Sequence, residues 1–322
     1  MSDVAAFDPP PAAPEPATPA LPPPRGRSAA AIVWIIVLAV LLLAAAGGGV
    51  YLYLETQRLQ AANEESERIN EEQRQLIDEQ NELLDEKETF GAAMEDFMAK
   101  ARSLDGVPIA SLVPLDDVEA LARNAWELRR SPASVASLTD SVRTHAEALQ
   151  ALIDTAAAQR GSNASGSLGE SIIDELGAGH VRVVFDDPAP ICGGDPIGCV
   201  SSEDPTLIHL DPNDFHAEYF DQTLQTLVAY HEFAHVLQFT NPGPTETAAA
   251  AFGDDWEFMA DCYALTLTDS WTLDRRVWVS DFSYWDVSVG YGQVCDAGQR
   301  DVIRSWLGEV GFHYRPVTQG AA

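Results

Sequence analysis

Ala229-Tyr230-His231-Glu232-Phe233-Ala234-His235-Val236-Leu237-Gln238 is the stretch on which the reading of this chain turns. On an α-helix a spacing of four residues is slightly more than one turn, so His231 and His235 project from one face and can share a metal ion. Glu232 lies about 100° round the helix from His231, close enough to act on a water the metal activates without being a ligand itself. The flanks favour a helix: Leu224, Val228 and Ala234 to Leu237 supply apolar positions, and neither Gly nor Pro interrupts Asp221 to Thr240. Histidine is scarce, seven in 322 residues, which sets this pairing apart from chance. The bland alternative is a buried polar pair on an apolar helix. Burying two His and a Glu with no metal costs on the order of several kcal/mol unless each finds a partner.

A catalytic zinc needs a third protein ligand and one open position. A metzincin would place Gly at position 238 and His at position 241; the chain has Gln238 and Asn241, which excludes that class. The better source is Trp256-Glu257-Phe258-Met259-Ala260-Asp261-Cys262, where Glu257 and Asp261 stand four apart on one face. Glu257 can ligate zinc while Asp261 hydrogen-bonds the outer nitrogen of a ligand His and fixes its tautomer, the gluzincin arrangement. Asp254 and Asp255 sit where a helix would start and are expected to cap it. Glu246 falls in a Pro/Thr-rich loop.

Three blocks then carry a resemblance to a known family. Ile191-Cys192-Gly193-Gly194 to Gly198-Cys199, followed by Ile208-His209-Leu210-Asp211, is similar to a Cys-Gly…Cys loop leading into a short strand that ends in Asp. The stretch Ala229 to Gln238 is the second block, and Glu257-Phe258-Met259-Ala260-Asp261-Cys262-Tyr263-Ala264 the third. In this order they resemble the bacterial neutral zinc metallopeptidase family, over roughly residues 181–310. The resemblance implies a peptidase holding one catalytic Zn2+ through His231, His235 and Glu257, with Glu232 as general base and a peptide or protein as substrate. Two departures stand out. The family has Gly where Ala234 stands, and a His-Gly-Thr-Ser-like stretch where this chain reads Val294-Cys295-Asp296-Ala297. A substrate-binding role for that family His would pass here to Tyr291, His313 or Tyr314, or be absent. His209 and His216 are near enough in sequence to be weighed as oxyanion stabilisers, with packing or surface roles as the plainer reading. The strand around Ile208 to Leu210 is a candidate edge for pairing with an extended substrate.

Outward from this region the chain is sharply segmented. Nine of the first 24 residues are proline, so 1–28 reads as a disordered tail. Residues 29–54 carry no charge and are long enough to span a hydrocarbon core of about 30 Å. Their length and late start favour an anchor over a cleaved signal peptide. Arg25 and Arg27 precede the span and acids follow it, which places the N-terminus in the cytoplasm and the catalytic domain outside the cell membrane. Residues 55–89 form a polar helical stalk. Ile69, Leu76, Leu83 and Phe90 recur every seven residues, but Gln73 and Gln80 break the seam, leaving a solvated stalk and a weak homodimeric coiled coil both open. Residues 90–160 read as a small helical region with His145 isolated in it, and 161–170 as a flexible linker containing the triplet Asn163-Ala164-Ser165. The expected fold class is therefore α+β: a zincin-like domain over 171–322 with a small sheet and the active-site helix, preceded by one transmembrane helix, a stalk and a helical region.

Net charge is −31, which excludes a nucleic-acid partner bound through a broad electrostatic surface. All four cysteines, Cys192, Cys199, Cys262 and Cys295, lie beyond the span, and an even count outside the cytoplasm suggests two disulfides. Proximity favours Cys192 with Cys199, leaving Cys262 with Cys295, although three pairings are open. The rival function is a catalytically weak or inactive envelope scaffold that keeps zinc for stability. A structural zinc, however, has four protein ligands and no use for Glu232. Hydrolysis of something other than protein is the third reading.

Overall fold

In the computed structural model, residues 29–317 are described. The stretch 1–28, expected to be a disordered tail, lies outside them. The described residues fall into two units that divide between Leu76 and Ile77. Helix α1 (Ala29–Ser103) supplies the first and enters the second. No proline occurs between positions 25 and 107, and Ala, Leu, Glu, Gln and Arg dominate, all good helix formers. The composition changes at 54/55 and 89/90 are therefore changes of polarity within one helix, not breaks between elements. In the first unit α1 is apolar enough to cross a membrane, with mean hydropathy 2.6 over its apolar window and none of that window buried.

The second unit is α+β. After α1 come a 3-10 turn (Ala110–Leu112), α2 (Leu115–Glu127) and α3 (Pro132–Gln159), the last capped by Ser131 with Pro132 at its first position. Phe97 and Ala101 of α1 pack with Val118, Val142, Leu149 and Phe312 in a helical core. Residues 161–167, read as a flexible linker, form a hydrogen-bonded loop instead. Glu170 accepts from the backbone of Ala164 at 3.0 Å and Ser165 at 2.9 Å, and the Asn163 amide donates to Ser167 O at 2.7 Å. Two carboxylate oxygens and one amide are enough to order a Gly/Ser-rich segment.

Next come α4 (Leu168–Gly177), β1 (Arg182–Phe185), α5 (Ala189–Cys192), β2 (Gly198–Ser201), β3 (Asp204–Leu210), α6 (Pro212–Phe215) and α7 (Gln222–Thr240). They are followed by α8 (Pro242–Ala249), α9 (Trp256–Leu267), the hairpin β4 (Asp274–Ser280) and β5 (Ser283–Ser288), and α10 (Ala297–Leu307). The main sheet has the order β1-β3-β2, with β1 parallel and β2 antiparallel to β3. Both edges of β3 are thus occupied, which corrects the expectation that Ile208 to Leu210 offers an edge to substrate. The outer edges belong to β1 and β2.

Helix α7 packs against α4, α9, β2 and β3 and is buried on nearly every side, as an apolar helix without a polar face must be. Phe233 and Leu237 are fully enclosed, and truncating either to Ala costs about 2–5 kcal/mol. Asn241 ends this helix and clamps its surroundings: its Nδ2 donates to Pro108 O at 2.9 Å and Leu237 O at 3.0 Å, and its Oδ1 accepts from Gly311 N at 2.8 Å. Ile109, from the loop after α1, is fully buried in the same core as α7. The region expected to begin at 171 is therefore built on residues from before 110.

Candidate metal centre

Asp221 caps α7 by accepting from Thr223 N at 2.9 Å and Leu224 N at 3.1 Å, which fixes the helix start and hence the phase at which His231 and His235 emerge. Asp255 does the same for α9, accepting from Phe258 N at 3.0 Å, and so aims Glu257 at the two imidazoles. His231 Nε2 and His235 Nε2 lie 3.1 Å apart. Glu257 Oε2 is 3.2 Å from the first and 3.1 Å from the second.

Each imidazole is held from behind through Nδ1. His235 Nδ1 donates to Gln238 Oε1 at 2.7 Å, and Gln238 Nε2 donates in turn to Trp256 O at 2.9 Å, one residue before Glu257. An amide oxygen only accepts, so His235 carries its proton on Nδ1 and turns the Nε2 lone pair inward. His231 Nδ1 lies 2.9 Å from Asp261 Oδ1, within ion-pair reach though out of line for a straight hydrogen bond. Asp261 is fully buried, and its Oδ2 accepts from Tyr291 N at 2.8 Å. Gly290 makes this approach possible, because a Cβ there would collide with Leu273 and with both Asp261 oxygens.

Two imidazole nitrogens and a carboxylate oxygen within a triangle of 3.1–3.2 Å require positive charge among them, from a proton on His231 or from a bound cation. Tetrahedral donors at bond lengths of about 2.0–2.1 Å stand roughly 3.3 Å apart, so the spacing fits one cation. The electrostatics agree. Burial works against charge on His231, yet Asp261 and Glu257 outweigh it and raise its pKa to about 10. Burial also opposes ionisation of Glu257, but the two imidazoles hold it well below the usual carboxylate range. His231, His235 and Glu257 could thus bind a metal ion.

The triad opens into a cleft of about 530 Å³. One wall is β2 with the Cys192–Cys199 rim, and the other is Ser288 to Tyr291. Glu232 reaches this cleft from α7; burial raises its pKa, the imidazoles oppose the rise, and its Oε2 has no protein partner. Gly198 makes room for it, since a Cβ at that position would come within 2.8 Å of Glu232 Oε1.

The other candidates separate cleanly. Glu246 is exposed on α8, a helix where the sequence suggested a loop, and Asp254 precedes the Asp255 cap with φ 63°. His209 Nδ1 is 2.9 Å from Asp186 Oδ1, and His216 Nδ1 lies 3.0 Å from Pro212 O; neither lines the cleft. Tyr314 bonds Arg102 and His313 is exposed beside another cavity, whereas the Tyr291 ring stacks on His231 at 6.1 Å. Burial, then the charge of Glu257, pushes the Tyr291 pKa up to about 12.

Where a family His was expected, Cys295 bonds Cys262 and Asp296 caps α10, its side chain accepting from Gln299 N at 2.8 Å. Both disulfides follow the pairing that sequence proximity favoured. Sequence reasoning missed what Gln238 does for His235, although its place three residues on, on the same helical face, was signal enough. No protein-family model, curated protein or solved structure matches the chain.

Proposed function

We propose that the chain is a membrane-anchored zinc metallopeptidase of zincin-like fold, with its N-terminus cytoplasmic and its cleft outside the cell membrane. The observation that carries the reading is the convergence of His231 Nε2, His235 Nε2 and Glu257 Oε2 at 3.1–3.2 Å beside an unpartnered Glu232, in an open cleft. Three protein donors facing a cleft are the pattern of a catalytic rather than a structural zinc site. All three sequence blocks that resemble the bacterial neutral zinc metallopeptidases meet at this cleft, which supports the family reading. The inactive-scaffold alternative leaves Glu232 without a purpose.

Zinc held by these residues supplies Lewis acidity, polarising a scissile carbonyl and ionising water near neutral pH. The chain's own groups do the rest. Glu232 takes the proton of the attacking water and delivers it to the leaving amine. Its burial raises the carboxylate's affinity for a proton, which favours the first transfer, while the nearby imidazoles oppose that rise and favour the second. The free edge of β2 offers backbone donors and acceptors to an extended peptide, antiparallel pairing giving register without side-chain recognition. Tyr291 presents a neutral phenol across the cleft, a donor for charge developing on the carbonyl oxygen.

The test uses the full-length protein in detergent with an unfolded protein as substrate. Glu232→Gln should keep one zinc per chain and lose cleavage, and a chelator should abolish wild-type cleavage reversibly. Retained cleavage in that variant would remove Glu232 as base, and Glu257→Ala with full zinc occupancy would move the third ligand elsewhere.

A further inference from the structure

The β4–β5 hairpin carries an aromatic surface that the metal chemistry does not use. Its strands pair in register Trp278 with Tyr284 and Arg276 with Asp286, so these four residues share one face. Trp278 is 59% exposed, Tyr284 45%, and Phe282 at the turn 95%. The opposite face leans on the domain through Val277 and Val287, and also carries Trp285, 56% exposed and 5.9 Å from Tyr219. Large aromatics left in water together are informative where a single one is not.

Three observations define what covers this face. The hairpin is continuous with the cleft: β5 ends at Ser288, and Ser288 to Tyr291 are cleft wall. Among the described residues each strand pairs only with the other, so both outer edges keep unpaired backbone groups, the attachment an extended chain uses. Its arginines are already neutralised, Arg275 by Asp221 at 2.9 Å and Arg276 by Asp286 at 2.7 Å, within a chain of net charge −31. Anionic polymers and anionic lipid have nothing to bind here.

We infer that the hairpin is a docking arm for unfolded polypeptide, capturing an apolar or aromatic segment of the substrate outside the cleft and feeding the adjoining segment along β2. This rests on the peptidase reading of the cleft. The arm selects long unfolded chains over short peptides, because only a long chain spans both surfaces. An isolated two-stranded hairpin is marginal in water, so an occupant on its outer face also steadies the wall that carries Tyr291.

The experiment compares the full-length protein in detergent with Phe282→Ser and with Trp278→Ser/Phe282→Ser, on a reduced, carboxamidomethylated protein and on an eight-residue peptide cut from it. The expected result is a KM at least ~10-fold higher for the long substrate in the double variant, a smaller rise in Phe282→Ser, and unchanged peptide kinetics. Equal losses on both substrates, or none in either variant, overturn the arm. Binding of the fluorescently labelled long substrate to each variant in a Glu232→Gln background separates the two readings. A ~10-fold weaker binding there sustains the arm even if wild type cleaves nothing, and equal binding overturns it. In a Trp34→Phe background, which removes the tryptophan of the candidate span, quenching of tryptophan emission by brominated zwitterionic lipid in nanodiscs, lost in the double variant, would assign the face to a bilayer and also overturn it.

Discussion

Asp261 Oδ1 stands 2.9 Å from His231 Nδ1, while the other oxygen of the same carboxylate takes the Tyr291 backbone N–H at 2.8 Å. One buried side chain therefore sets both a metal-facing imidazole and the residue on the far wall of the cleft. Replacing it with Asn keeps the size and removes the charge. Asp261→Asn should weaken zinc binding about 10–100-fold, read by competition with a chromophoric chelator. Unchanged affinity would mean that His231 is oriented by its helix alone.

Tyr291 offers a separate readout. Its phenol lies beside Glu257 but is not one of the three candidate ligands, so Tyr291→Phe should retain one zinc per chain. Turnover should fall by roughly 10²-fold with little change in KM, the pattern of a group that acts on developing charge. A loss confined to KM would make Tyr291 a binding surface instead.

Gly198 tests how tightly Glu232 is held. Gly198→Ala places a methyl against Glu232 Oε1 and Leu210, both under 3.0 Å from the new atom. Displacing a carboxylate by even 1 Å can cost on the order of 10²-fold in rate, so activity should drop sharply while zinc content stays full. Zinc loss in parallel would show that the strand, not the base, had moved.

The Cys262–Cys295 bond spans 33 residues and joins α9 to the chain just after the cleft wall. Closing a loop of that length is worth about 3–4 kcal/mol. Cys262→Ser/Cys295→Ser should lower the stability of the full-length protein in denaturant titrations by that order. A change below about 1 kcal/mol would mean that burial alone holds the two segments together.

The residues that build the triad were legible because helical phase converts sequence spacing directly into geometry. His231, His235, Glu257 and Asp261 needed only the assumption of two uninterrupted helices. Strand β3 was legible around Ile208 to Leu210. Strand β2 was not, since Gly198-Cys199-Val200-Ser201 is too short to show a period. The hairpin alternates Val277 and Val279 with polar and aromatic neighbours around a Ser-Asp turn, a period-two signal that went unread at the sequence level. The placement of Tyr291 needed the fold: three candidates stood open, and only a long-range bond to Asp261, 30 residues away, separates it from His313 and Tyr314. The continuity of α1 was readable from the missing prolines, but the change from apolar to acidic drew the eye to boundaries that the backbone ignores.

Asn241 decides where this protein can be cut. Its amide joins Pro108, ahead of the helical region, to Gly311, near the far end, at the last turn of the helix that carries both histidines. A fragment beginning at the Gly/Ser-rich loop would leave behind Ile109 and the carbonyl that Asn241 needs, opening a hole beneath α7. Trimming for expression therefore preserves the centre only when the break falls upstream of Val107. The autonomous piece is longer than its composition advertises, and its true border lies within α1.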